Sequence, residues 1–62
     1  MQFDIPNMAC GGCVDTITQA VQSVDPTADV QADTTTRRVT IASDEQESQI
    51  RTALVEAGYP PA

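Results

Sequence analysis

The stretch QFDIPNMACGGCVDTITQAVQSV, residues 2–24, decides the fold. Its opening, Gln2 to Ile5, alternates polar and apolar side chains, with Phe3 and Ile5 on one face, the pattern of a half-buried strand. Pro6 ends that strand because proline has no N–H to give to a ladder. Beyond the cysteines, Val14, Ile17, Ala20, Val21 and Val24 recur at spacings of three and four. Such spacing lines one side of a helix of about three turns, and Asp25-Pro26 is its stop signal. A strand and an amphipathic helix are therefore joined by a short loop that carries both cysteines.

Outward from this unit the pattern repeats. Val30 and Ala32 alternate with Asp29 and Gln31, Asp33 to Thr36 reads as a turn, and Val39 and Ile41 alternate with Arg38 and Thr40. Ser43 or Asp44 is suited to cap a second helix, with Glu45 and Glu47 near its positive end. The core face of that helix is Ile50, Ala53, Leu54 and Ala57, and Gly58 is the expected stop. The order strand, helix, strand, strand, helix leaves Tyr59 to Ala62 over. It predicts an α+β, ferredoxin-like βαββαβ two-layer sandwich, with two helices on one face of an antiparallel sheet. Pro60 and Pro61 lack backbone donors, so the last strand is expected to be truncated or absent.

At 62 residues the chain makes one domain, residues 1–62, with a thin core and no room for a nucleotide fold with its own cleft. Nine acidic residues against three arginines, with no lysine, leave a net charge of −6. That surface disfavours nucleic acid and anionic lipid as partners. No apolar run approaches a membrane span, and no signal-peptide pattern opens the sequence. Histidine is missing altogether, which removes the ordinary general base near neutral pH and any imidazole ligand. Chemistry falls to the cysteines, the carboxylates or the single tyrosine. Met1 opening directly into a strand argues for a free-standing protein, although a domain excised from a larger pump would read identically.

Both cysteines lie in Cys10-Gly11-Gly12-Cys13. Three positions apart, they staple nothing distant, and a closed zinc cage needs four ligands. Cys13 is expected in the first helical turn, where free N–H groups and the helix dipole stabilise a thiolate. Cys10 is expected just before the helix, on a loop that Gly11 and Gly12 leave bare. Two soft sulfurs close together select a soft ion such as Cu(I), and an exposed two-coordinate ion can be handed on by ligand exchange.

Met8-Ala9-Cys10-Gly11-Gly12-Cys13 resembles the M-x-C-x-x-C loop of heavy-metal-associated domains, and the resemblance covers essentially the whole chain. It implies a small cytoplasmic copper chaperone in which Cys10 and Cys13 bind Cu(I) and deliver it to the soluble metal-binding domains of a copper-transporting P-type ATPase. It also implies that Met8 packs inward without ligating, and that Tyr59 lies near the metal loop. There Tyr59 either anchors the chain end or shields and tunes the thiolates. Docking would use Ala9, Gly11, Gly12, Asp15 and Thr16 around the cysteines, and a partner's thiolate could bridge two copies into a metal-linked homodimer. Two positions depart from the family pattern. Asn7 replaces the usual glycine, and is expected to tolerate the left-handed geometry glycine would take. Ala9 stands where zinc-handling members carry an acidic residue, which favours Cu(I) over Zn(II).

Two rivals use the same residues. A thiol–disulfide oxidoreductase would also place a CxxC near a βαβ unit, but it wants a longer chain, an aromatic before the first cysteine and a proline between the pair. A domain of the same fold for mercury or zinc is the other.

Overall fold

A computed structural model describes all of residues 1–62. The elements are β1 (Gln2–Asp4), α1 (Gly11–Val24), β2 (Asp29–Asp33), β3 (Arg38–Ala42) and α2 (Glu47–Glu56). The three strands form one antiparallel sheet in the order β1-β3-β2. With β3 threaded between them, β1 and β2 run parallel and are joined through α1, which is the split βαβ topology anticipated from the element order. Register pairs Phe3 with Val39 and Val30 with Ile41. Val39 and Ile41 are fully buried while Arg38, Thr40 and Ala42 are exposed, so the helices cover one face of the sheet and water the other.

The core is a single cluster of Phe3, Ile5, Met8, Ile17, Val21, Ala28, Val39, Ile41, Ile50 and Leu54. The periodic positions of both helices supply its upper layer, and each fully buried Ile, Val or Leu contributes roughly 1.5–3 kcal/mol. Arg51 of α2 lays its guanidinium over the Phe3 ring, 5.2 Å from the centroid, closing the β1 side of that layer.

Several boundaries differ from the sequence reading. Ile5 falls outside β1, although it is fully buried and its N–H still donates to the Arg37 carbonyl at 2.8 Å. Neither Ser43 nor Asp44 caps α2: the N-cap is Gln46, with no side-chain bond. The Ser43 hydroxyl is engaged elsewhere, donating to Asp25 Oδ2 at 2.6 Å and accepting from the Glu45 N–H at 3.0 Å. The Gly58 stop stands as expected, at φ 90°. Its N–H donates to Val55 and the Tyr59 N–H to Leu54, the paired bonds of a Schellman cap. The fourth strand is reduced to one bond, from the Ala62 N–H to the Asp4 carbonyl at 2.7 Å, because Pro60 and Pro61 have nothing to donate.

Candidate metal centre

Strand β1 gives way to a tight turn before the cysteines. The Met8 N–H donates to the Ile5 carbonyl at 3.0 Å across Pro6 and Asn7. Asn7 keeps a negative φ, since Arg37 is the one non-glycine residue with a positive value. The left-handed geometry expected at Asn7 is therefore not used; with Pro6 in the second position, the turn is of a kind most residues adopt in the third. Met8 is fully buried in the core cluster, so its side chain pins the loop from beneath.

Cys10 is the N-cap of α1, in extended conformation, and its Sγ accepts from the Cys13 N–H at 3.2 Å. Gly11 and Gly12 are the first two helical residues rather than a loop before the helix, and an added Cβ at either would meet nothing within 4 Å. Space does not demand glycine here; what the pair provides is bare backbone at an exposed helix start. Cys13 is the third helical residue and half-buried against the core, whereas Cys10 is exposed. One turn of helix thus sets the two cysteines side by side, with Cα atoms 5.2 Å apart. The sequence reading expects free thiolates; in the structure the two sulfurs are joined as a disulfide, and neither titrates in that form. Metal binding would require its reduction.

The remaining residues singled out from the sequence fall around this turn of helix. Ala9, Asp15 and Thr16 are exposed. Asp15 is the fifth residue of α1 and lies beyond its first turn, which contains no acidic residue. The Thr16 hydroxyl donates back to the Gly12 carbonyl at 3.0 Å, so its polar end is spent inside the helix. Tyr59 is half-buried and packs against the same core cluster as Cys13, at the end of α2 that topology brings to the cysteine end. No group of three or more Cys, Asp or Glu side chains is placed to hold an ion, leaving the sulfur pair as the whole candidate donor set. Nor is the site a cavity. A groove of about 540 Å³ lies at the other end, between Val24 of α1 and Ser48, Gln49 and Thr52 of α2.

Two structurally important residues carry little signal in a motif scan. Asp25 is 8% exposed and accepts from the Thr27 N–H and hydroxyl at 3.0 and 2.7 Å and from Ser43. Bonds from Ser43 and Thr27 hold its carboxyl below the usual carboxylate value. The run Asp25-Pro26-Thr27 is the local signature that could have revealed it. Arg37 turns left-handed at φ 59°, at a cost of roughly 1–2 kcal/mol for a residue with a Cβ.

The chain is thus a small open-faced sandwich with a pair of cysteines at the exposed start of its first helix. The heavy-metal-associated domain matches residues 2–60, and the chain belongs to that family. Among solved structures it is similar to the copper chaperone Atx1 from Synechocystis PCC6803, in a trimeric form with a histidine-to-tyrosine substitution. The two are 44% identical with a TM-score of 0.96, over 100% of this chain and 98% of that one. A gold-binding protein is 41% identical, with a TM-score of 0.94 over 98% and 94% of the two chains. Protein Atu1203 from Agrobacterium tumefaciens is 31% identical, with a TM-score of 0.89 over 100% and 97%. Comparison with curated proteins returns no match.

Proposed function

We propose that the reduced chain is a copper carrier in which Cys10 and Cys13 hold one Cu(I) between two thiolates and pass it on without releasing it. The observation that carries this reading is the placement of both cysteines on one exposed turn, Cys10 as N-cap and Cys13 three residues on. Thiolates there face the positive end of α1 and are soft enough to prefer Cu(I) over harder ions. Similarity to the Synechocystis copper chaperone supports copper as the cargo. Met8 serves as packing rather than as a ligand, and Tyr59 as a flank to the sulfurs.

Transfer needs no change of oxidation state. A partner thiolate adds to the copper to give a three-coordinate ion, one original Cu–S bond breaks, and the departing sulfur takes up a proton or remains a thiolate. Cys10, the more exposed sulfur, is the one expected to leave first. The acceptor is a soluble metal-binding domain of a copper-transporting P-type ATPase, docking over Ala9, Gly11, Gly12, Asp15 and Thr16. With −6 on this chain, the acceptor's face carries positive charge and encounter weakens with salt. A second copy can offer the third sulfur instead, giving a metal-bridged homodimer. No helix is long and apolar enough to cross a membrane, and a reducing cytoplasm would keep the pair as thiols. The chain acts as a carrier and not as an enzyme.

X-ray absorption of the fully reduced, copper-loaded protein is the deciding test: two or three Cu–S bonds are expected, and their absence ends the proposal. The disulfide itself favours a second reading, thiol–disulfide exchange through the same pair. Acceleration of insulin reduction by dithiothreitol would support it. Competition between Zn(II) or Hg(II) and Cu(I) in the reduced protein separates copper from the other metals this fold could carry.

A further inference from the structure

Of the three arginines, two are engaged away from the cysteines. Arg38 pairs with Asp4 at 3.0 Å on the open face of the sheet, and Arg51 lies over Phe3. Arg37, at the tip of the β2–β3 hairpin, is engaged differently. Its carbonyl accepts from the Ile5 N–H at 2.8 Å, and its guanidinium Nη1 donates to the Pro6 carbonyl at 3.1 Å. These two bonds grip consecutive residues of the turn that launches the cysteine loop. The Ile5–Arg37 bond is the last rung between β1 and β3, and one residue further on the arginine side chain takes up the Pro6 carbonyl. The chain enters β3 through a left-handed residue, and that residue is Arg37 itself, φ 59°. An arginine in a backbone position that suits glycine or asparagine is a local misfit, and its side-chain bond across 31 residues is what distinguishes it there.

We propose that Arg37 is a positioning residue for the metal loop: its guanidinium fixes the Pro6 carbonyl, and with it the Ile5–Met8 turn that holds Met8 in the core and sets Cys10 at the helix start. The effect is on the loop's order and hence on how tightly the reduced sulfur pair retains an ion, so the second consequence rests on the copper-binding reading while the first does not.

The test uses Arg37→Gly and Arg37→Asn, both of which suit a left-handed backbone, with Arg37→Lys as the conservative variant. In the reduced, metal-free protein the Met8 amide is expected to exchange about 3- to 10-fold faster in the glycine and asparagine variants, the range one net hydrogen bond converts to. Lysine, which can still donate to the Pro6 carbonyl, should restore protection, and the thermal midpoint should not fall in parallel. Cu(I) should pass to a competing chelator more readily in the same two variants by a similar factor. Unchanged Met8 exchange in both would overturn the proposal whatever the copper result. Wild-type protein that binds no Cu(I) would instead end the copper reading, leaving the amide measurement to decide the role of Arg37. A purely structural role predicts the reverse pattern, with a lowered midpoint and no rescue by lysine.

Discussion

The two ends of the sandwich are built on opposite principles. At one end, the turns after α1 and after β3 are closed by side chains: Asp25 collects bonds from Thr27 and Ser43, and Ser43 in turn accepts from the Glu45 N–H. Every polar atom buried there has a partner. At the other end, backbone bonds and one arginine shape the cysteine loop, and the reactive atoms face solvent. A polar group that is satisfied within the chain has nothing left to offer a ligand. The end away from the cysteines is closed around a buried carboxylate, and the cysteine end leaves Cys10 and the Gly11–Gly12 backbone exposed.

The strongest way to break this contrast is at the sulfurs. Cys10→Ser is expected to abolish tight Cu(I) binding, measured by competition against a Cu(I) chelator, because a hydroxyl is a hard and poor partner for a soft ion. Stability of the reduced protein should nonetheless hold or rise, since serine is a favoured N-cap and its oxygen can accept the Cys13 N–H that Sγ accepts now. Retained full affinity would show that the site is not the Cys10–Cys13 pair.

At the opposite end the expected pattern inverts. Asp25→Ala should lower the thermal midpoint well beyond Asp44→Ala, an exposed aspartate on the facing turn after β3, because it strips partners from Thr27 and Ser43 together. Cu(I) affinity of the folded, reduced variant should match wild type. A loss of affinity without unfolding would mean that the two ends are coupled after all.

Acid offers a milder perturbation of the same residue. Asp25 is held below its ordinary value of 3.8, first by Ser43 and then by Thr27. A carboxyl whose folded pKa is depressed stabilises the fold above its unfolded value, and that contribution drains away as pH falls through the folded one. Midpoints measured down the acid limb, from pH 5 to pH 2 or so, should therefore decline less steeply in Asp25→Asn than in wild type. Parallel limbs would remove Asp25 as the source of acid lability.

Much of this architecture is legible in the sequence, for reasons that differ by element. Helix α1 is readable because Ile17 and Val21 answer to one strong periodicity, and the stub at Ala62 because two prolines forbid anything longer. The cysteine site is readable because two residues of rare type stand at a spacing equal to one turn of helix. What failed depends on tertiary competition. Ser43 has the composition of a cap, yet Asp25 claims its hydroxyl across 18 residues, and α2 starts later at Gln46. Asn7 has the propensity for a left-handed turn, but the structure places that conformation at Arg37, on the turn that leads from Asp33 into β3. Neither outcome is visible without knowing which distant segment arrives beside which.

The smallest effect is the most discriminating between stability and use. Gly12 sits in helical conformation with open space where a Cβ would go. Gly12→Ala should therefore raise stability by about 0.5–1 kcal/mol, mainly by reducing the freedom of the unfolded chain. The same methyl would stand on the surface over which an acceptor's sulfur approaches. Stopped-flow transfer of Cu(I) to a small thiol should be nearly unchanged, whereas transfer to a folded acceptor domain should slow. If both rates match wild type, bare backbone at Gly12 is no part of docking, and the acceptor comes in from the Tyr59 side instead.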